Sequence, residues 1–353
     1  MRIIKAVSAA LVAAIATAAI SGSAFAASVP VDLRVVSNDV GNLEDLRQYV
    51  PETTTVKTFA GDDCFDPTPP IKQSSGKSYT QSSPTMLGAI SEAAQVKRSL
   101  QPFRISDADY ASFASLSICQ ISAPSPPGFF FLKANHSGLT VGADRFTLRG
   151  SEELIAYRTP ADFSADEELE LIAPVRAAPG VPVGVNVRAY SGTLGPRAGA
   201  IVLGGATPVL SDGQGNATVS FPEPGEYRLV ALGDYDDIPS AVLTVCVDPE
   251  FESECADARG REILGSDERD GIKGTDGDDV IRPRGGRDRV KSRDGDDRII
   301  SKGGGSDRIN CGGGKDVVKR DAKDRVARNC EKVKRKKSEK REGGKKRGGG
   351  KRR

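Results

Sequence analysis

Histidine occurs once in 353 residues, tryptophan never, and aromatic side chains make up only 5%. A lone histidine, His136, removes most acid–base arrangements, which set an imidazole beside a nucleophile or carboxylate. No GxSxG, HExxH, phosphate-loop or nucleotide-binding glycine pattern occurs. His136 reads as a surface turn residue, and the acidic pairs Glu167-Glu168 and Asp236-Asp237 read as solvated loop acids. No enzymatic activity is expected. CxxC spacing is missing too, which with one histidine argues against structural zinc. Beyond Ile20 no apolar run approaches the roughly 20 residues that cross a bilayer.

What is present begins with an export signal. Two cations in Met-Arg-Ile-Ile-Lys precede an apolar run from Ala6 to Ile20, and Ala24-Phe25-Ala26 supplies a small-residue cleavage site. That pattern predicts a signal peptide over residues 1–26. The product is expected to be secreted, extracellular or cell-wall associated, with no membrane span after cleavage. Cys64, Cys119, Cys246, Cys255, Cys311 and Cys330 are then disulfide candidates in an oxidising compartment. Sequential pairing would keep each bridge inside one module, but connectivity stays open. Charge is uneven: the chain is +2 overall, yet residues 331–353 hold 13 Lys/Arg and 3 Asp/Glu. This glycine-rich tail reads as disordered. Its expected partner is an anionic cell-wall polymer or surface. Without aromatics to stack on bases, it is not expected to take nucleic acid.

Residues 29–160 read as an α+β domain. Val31 to Val36 alternates like a half-buried strand, Thr53 to Phe59 reads as another, and Pro67 to Pro84 as a loop. Thr85 to Leu100 is a helix with Met86, Leu87, Ile90, Ala93, Ala94 and Leu100 on one face, interrupted by Lys97. Further strands are predicted over Ser117 to Ser122, Phe129 to Ala134, Arg145 to Leu148 and Glu153 to Tyr157. The segments GFFFLKANH (128–136), GADRFTL (142–148) and ELIAY (153–157) resemble the transcobalamin-like C-terminal domain family. Gly150-Ser151-Glu152 replaces that family's Gly-Asp turn. The resemblance implies small-ligand, corrinoid-like binding, although the partner domain that completes such a site in relatives is missing.

Residues 167–248 show short strands at Leu169 to Ile172, Val181 to Tyr190, Gly199 to Leu203, Ala217 to Phe221, Glu226 to Leu232 and Ala241 to Val247, split by turns. The rhythm predicts an antiparallel β-sandwich. DGQGNATV (212–219) with PGEYRL (224–229) resembles bacterial Ig-like modules, which implies a spacer or adhesive unit.

Residues 256–330 carry a nine-residue repeat: GSDERDGIK, GTDGDDVIR, PRGGRDRVK, SRDGDDRII, KGGGSDRIN, CGGGKDVVK. Asp270, Asp279, Asp288, Asp297, Asp307 and Asp316 recur, each followed two residues on by Ile or Val. One unit cannot bury its aliphatic residue alone; stacked units can. The pattern resembles the RTX, or haemolysin-type, repeat GGxGxDxUx, which implies a parallel β-roll with Ca²⁺ as cofactor. The best metal positions are expected at the acid clusters Asp276, Asp278, Asp279 and Asp294, Asp296, Asp297, two units apart on adjacent coils. Arg287, Arg289, Arg298 and Arg308 adjoin the aspartates as candidate ion-pair partners, and a metal-free solenoid closed by Cys311 and Cys330 is the rival reading.

The expected fold is therefore multidomain and mainly β: an α+β domain, an Ig-like sandwich, a short parallel β-roll and a disordered basic tail. The expected function is a secreted calcium-binding surface or adhesion protein with an unidentified protein or small-ligand partner. The alternative is a corrinoid-like ligand binder with a metal-free solenoid.

Overall fold

The computed structural model describes residues 28–37, 41–62, 71–122, 130–158, 167–234, 237–248 and 260–335. The expected signal peptide, Cys64, Cys255 and the chain beyond Arg335 lie outside the described residues. The chain is mainly β, with sheets that include long parallel runs. No helix among the described residues is long and apolar enough to cross a membrane.

The first region is built on Val29–Ser37, which pairs parallel with Glu153–Arg158 and antiparallel with Gly41–Val50. Phe130–Ala134 flanks Glu153–Arg158. The expected half-buried strand is in fact central: Leu33, Arg34, Val35, Val36 and Ser37 are all buried, so both faces are covered. The helix Met86–Val96 starts where Thr85 accepts a hydrogen bond from the Gly88 N–H at 3.1 Å. Its apolar stripe packs on Val31, Leu33, Leu46 and Val50. Lys97, the apparent flaw in that stripe, forms ion pairs with Glu44 and Glu262.

Several expectations need correction. Gly41–Val50 is a strand that periodicity did not show: Leu46, Gln48 and Val50 alternate inward, but buried Gln48 and the acids Glu44 and Asp45 blur the pattern. The expected loop from Pro67 to Pro84 contains the strands Gln73–Ser75 and Ser78–Gln81. Arg145 to Leu148 is a turn with a single bridge, Thr85↔Thr147, rather than a strand.

The second region is two sheets around one core. Glu168–Ile172, Val183–Ser191, Thr193–Pro196 and Asn216–Val219 make one sheet; Arg176–Ala177, Leu243–Val247, Gly225–Leu232, Ile201–Leu203 and Val209–Leu210 make the other. Leu169, Val187, Val202, Phe221, Leu229 and Val245 fill the space between. Arg176–Ala177 runs parallel to Leu243–Val247, so the region is not wholly antiparallel.

The repeat forms a parallel two-faced solenoid. One face stacks Gly271–Lys273, Arg289–Lys291, Arg308–Asn310 and Arg325–Val326. The other stacks Glu262–Leu264, Val280–Arg282, Arg298–Ile300, Val317–Arg320 and Lys332–Arg335. Between them Ile263, Ile272, Ile281, Val290, Ile299, Ile309 and Val318 form a buried column. Burial of each such side chain contributes about 1.5–3 kcal/mol before chain entropy is set against it. The last strand corrects the tail boundary: Lys332–Arg335 pairs in register with Val317–Arg320 and belongs to the solenoid.

The first coil does not end in solvent. Glu262–Leu264 pairs parallel with Gly41–Val50, joining solenoid and first region in one ten-stranded sheet. Tyr49 enters the solenoid's apolar column, and its hydroxyl accepts from the Lys273 N–H at 3.2 Å. Arg261–Asp32 at 2.6 Å and Arg284–Glu92 at 2.6 Å tie the same seam. The polar face of the helix is thus partly covered as well: Glu92 meets the solenoid and Ser91 is buried.

Candidate functional site

Each repeat aspartate sits at the end of a turn, just before a strand. Its carbonyl accepts from the first strand N–H of the next coil, as in Arg289 N–H to Asp270 O at 2.9 Å and Arg298 N–H to Asp279 O at 2.8 Å. Its own N–H then needs another acceptor, because a buried backbone donor without one is costly. The aspartate of the next coil supplies it. Asp270 N–H donates to Asp288, Asp288 N–H to Asp307, and Asp307 N–H to Asp324, at 2.9, 2.9 and 3.2 Å. On the opposite edge Asp279 N–H donates to Asp297, Asp297 N–H to Asp316, and Asp316 N–H to Glu331, at 2.9, 3.0 and 2.8 Å. The nine-residue period of aspartate is therefore explained by backbone satisfaction alone. Glycine is required beside it: at Gly286, φ +90°, a Cβ would lie 1.8 Å from the Glu268 carbonyl oxygen of the coil before.

The ladder uses only one oxygen of each carboxylate. The fate of the other divides the turns into two kinds. In the first two turns the second residue carries a hydroxyl, and its N–H reaches its own aspartate: Ser266 to Asp270 at 2.6 Å, Thr275 to Asp279 at 2.7 Å. Ser301 donates to Asp307 at 2.6 Å. In three other turns the second residue is left-handed: Arg284 at φ +69°, Arg293 at +80° and Gly312 at +97°. Their aspartates, Asp288, Asp297 and Asp316, are 2%, 1% and 0% exposed, and the second oxygen of each has no hydrogen-bond partner. Burial pushes Asp288 up to about 8, with Asp307, Asp270 and Asp324 adding like charge. Burial likewise takes Asp297 to about 7 and Asp316 to about 6. In all three, burial disfavours the charged carboxylate, most strongly at Asp288.

The expected acid clusters do lie on adjacent coils, since Asp296 N–H donates to Asp278 at 2.7 Å. Their acids are otherwise placed differently. Asp276 is exposed and faces Arg293 at 3.8 Å, Asp294 is exposed, and Asp296 accepts from the Lys315 N–H. Asp279 is hydrogen-bonded by Thr275 and Arg261. Only Asp297 among them has the unpartnered oxygen. The arginine expectation also fails: Arg287, Arg289, Arg298 and Arg308 are exposed, and none forms an ion pair with a ladder aspartate among the described residues. Strand alternation sends Asp(i) inward and Arg(i+1) outward at Arg289, Arg298 and Arg308.

Cys311 and Cys330 are bonded, with Cα atoms 5.3 Å apart, clamping the last coils. Cys119 and Cys246 are also disulfide-bonded.

A second polar cluster escaped sequence reading. His136 Nδ1 lies 2.9 Å from Glu168 and Nε2 3.6 Å from Glu153, while the ring stacks on Tyr190 at 3.7 Å. The three donor atoms are mutually within 4.8 Å, a spacing that could hold a metal. Arg34 and Lys133 both approach Glu168, at 3.1 and 3.8 Å. Those cations already supply the charge that a metal ion would, so the cluster is an ion-pair joint between the first and second regions. His136 and Glu168, expected in solvent, are its centre. Only their three-dimensional meeting could reveal it, since they are 32 residues apart.

Comparison with family models, curated proteins and solved structures returns no match.

Proposed function

We propose that the solenoid is a Ca²⁺-binding module of the RTX type and that the chain is a non-enzymatic extracellular binding protein. The observation that carries this reading is that three ladder aspartates, Asp288, Asp297 and Asp316, each keep a buried carboxylate oxygen outside the ladder hydrogen bonds. The donor chemistry fits: these are carboxylate oxygens, and hard oxygen ligands suit Ca²⁺. When bound, the ion would supply positive charge that lets these carboxylates ionise. The aspartates would hold it while continuing to accept the ladder N–H groups. The first region as a transcobalamin-like domain and the second as an Ig-like module rest on the sequence resemblances. Export and surface association rest on the leader-like segment and the basic tail.

A small-ligand role has one observation in its favour. A cleft of about 520 Å³ opens between the first sheet and the solenoid, lined by Pro30, Asp32, Arg47, Tyr49, Lys273 and Arg293.

The deciding experiment is metal content of the purified full chain together with a Ca²⁺ titration of its melting temperature. The full chain is needed because residues 256–330 alone lack the Gly41–Val50 strand on which the first coil is seated. A rise in melting temperature is expected, about 2.7 kcal/mol of stabilisation at a hundredfold excess over Kd. Identical melting in Ca²⁺ and in chelator would remove the calcium reading.

A further inference from the structure

The outward side of the smaller solenoid sheet carries cations in register. Arg289 pairs across strands with Arg308, and Arg308 with Arg325. Beside that column Lys273 stands in register with Lys291. All five are exposed. None makes an ion pair or side-chain hydrogen bond among the described residues. Elsewhere on the solenoid cations do find acids, as in Arg261–Asp32, Arg282–Glu262 and Arg284–Glu92. On this face none of the five does.

Like charges placed directly opposite in a sheet repel. The aspartates behind the column do not relieve them. Asp288, Asp307 and Asp324 point inward, and their carboxylates accept ladder bonds. The second sheet repeats the theme: Arg298, with Lys302, Lys334 and Arg282, holds the Lys319 ammonium below its ordinary range. A fold that lines up arginines once per coil, without counterions, is complementary to a ligand that repeats its negative charge at the strand spacing, about 4.8 Å. The guanidinium fork matches carboxylate and sulfate in a bidentate manner. The outward positions Lys273, Arg289, Lys291, Arg308, Asn310 and Arg325 include no aromatic residue on which a base could stack.

We propose that this face binds a linear acidic polysaccharide laid across the coils, one anionic group per sugar meeting one arginine per coil. The site is separate from the calcium reading, since it depends only on strand register. It is also separate from the basic tail.

The test uses the full chain and a chondroitin sulfate oligosaccharide, with its desulfated, carboxyl-reduced form as the uncharged control. Binding is read by calorimetry in Ca²⁺-containing buffer at low and at physiological salt. The R289Q/R308Q/R325Q variant is expected to bind about tenfold more weakly and to lose much of the salt dependence. It is expected to melt no lower than wild type, because repulsion is removed. K273Q/K291Q, which alters only the neighbouring column, gives a smaller loss. A chain ending at Arg335 is expected to keep most of the affinity. Wild-type affinity in both variants, or loss of binding on removing residues 336–353 alone, would overturn the proposal. So would equal or tighter binding of polyphosphate or oligo-dT of matched charge, which would assign the face to phosphate polymers instead.

Discussion

Replacing Asp288 by Asn separates the two tasks of the aspartate ladder. The amide oxygen can still accept from the Asp270 N–H, a bond of 2.9 Å in the native chain. The charge is removed, and the partnerless oxygen becomes an amino group. Burial, then the like charges of Asp307, Asp270 and Asp324, raise Asp288 from 3.8 to about 8. An acid raised in the folded state binds more protons there than in the unfolded chain between those two values. Its contribution is therefore most favourable below about pH 3.8, declines as pH rises through the window, and levels off above about pH 8. At about 1.4 kcal/mol per pH unit the ceiling is roughly 6 kcal/mol. Water entry and side-chain relaxation reduce the realised value to about 1–3 kcal/mol. The assay is urea unfolding of wild type and D288N in chelator, at about pH 5 and about pH 8. Wild type should lose about 1–3 kcal/mol more than D288N between the two. In millimolar Ca²⁺ the order should reverse, with wild type gaining the more. Parallel pH profiles for the two proteins in chelator would refute the reasoning.

Three further outcomes follow from the same structure. Replacing Cys311 and Cys330 by Ala opens a loop of sequence separation 19 and should cost about 3 kcal/mol, read as a lower melting temperature than that of the unreduced wild type. Tyr49→Ala removes the aromatic side chain from the end of the aliphatic column and should cost about 3–5 kcal/mol by urea unfolding, a loss under 1 kcal/mol showing that the seam does not stabilise the first coil. Asp107 is held at about 2: burial opposes ionisation, but hydrogen bonds from Ser75, Tyr79 and Ser74 outweigh it. Its contribution is present above pH 3.8 and lost as pH falls through about 2, so D107N should flatten the acid limb of the unfolding profile there.

The solenoid was legible because one physical requirement repeats in one dimension. Ile272, Val290 and Ile309 must point inward, and the period that puts them there is visible in a string. Gly41–Val50 was hidden because its inward side includes Gln48 and its outward side mixes Asp45, Arg47 and Tyr49, a pattern that makes sense only once the solenoid covers it. The placement of the acids within the coils was hidden for a related reason. Counting acids favours Asp276 and Asp278, which are accessible. The buried oxygens are those left over after backbone donors are served, on Asp288, Asp297 and Asp316, whose turns place Arg284, Arg293 and Gly312 at positive φ. Arg34, buried beside Glu168, could not be distinguished from a surface arginine without the second region packed against it.

A stacked array ordinarily frays from its ends, each terminal coil melting before its neighbour. Here one end grows from a strand of a separately cored region and the other is covalently closed at Cys311–Cys330. The first coil is not free to peel, and at the other end only the strand Lys332–Arg335, beyond the bridge, can do so without breaking it. Further opening must begin within the stack, where two interfaces break at once, or wait for the seam at Gly41–Val50 to part. The nine-residue units therefore lose their independence: the array should melt as one cooperative unit with the sheet that seeds it, despite the modularity of its sequence.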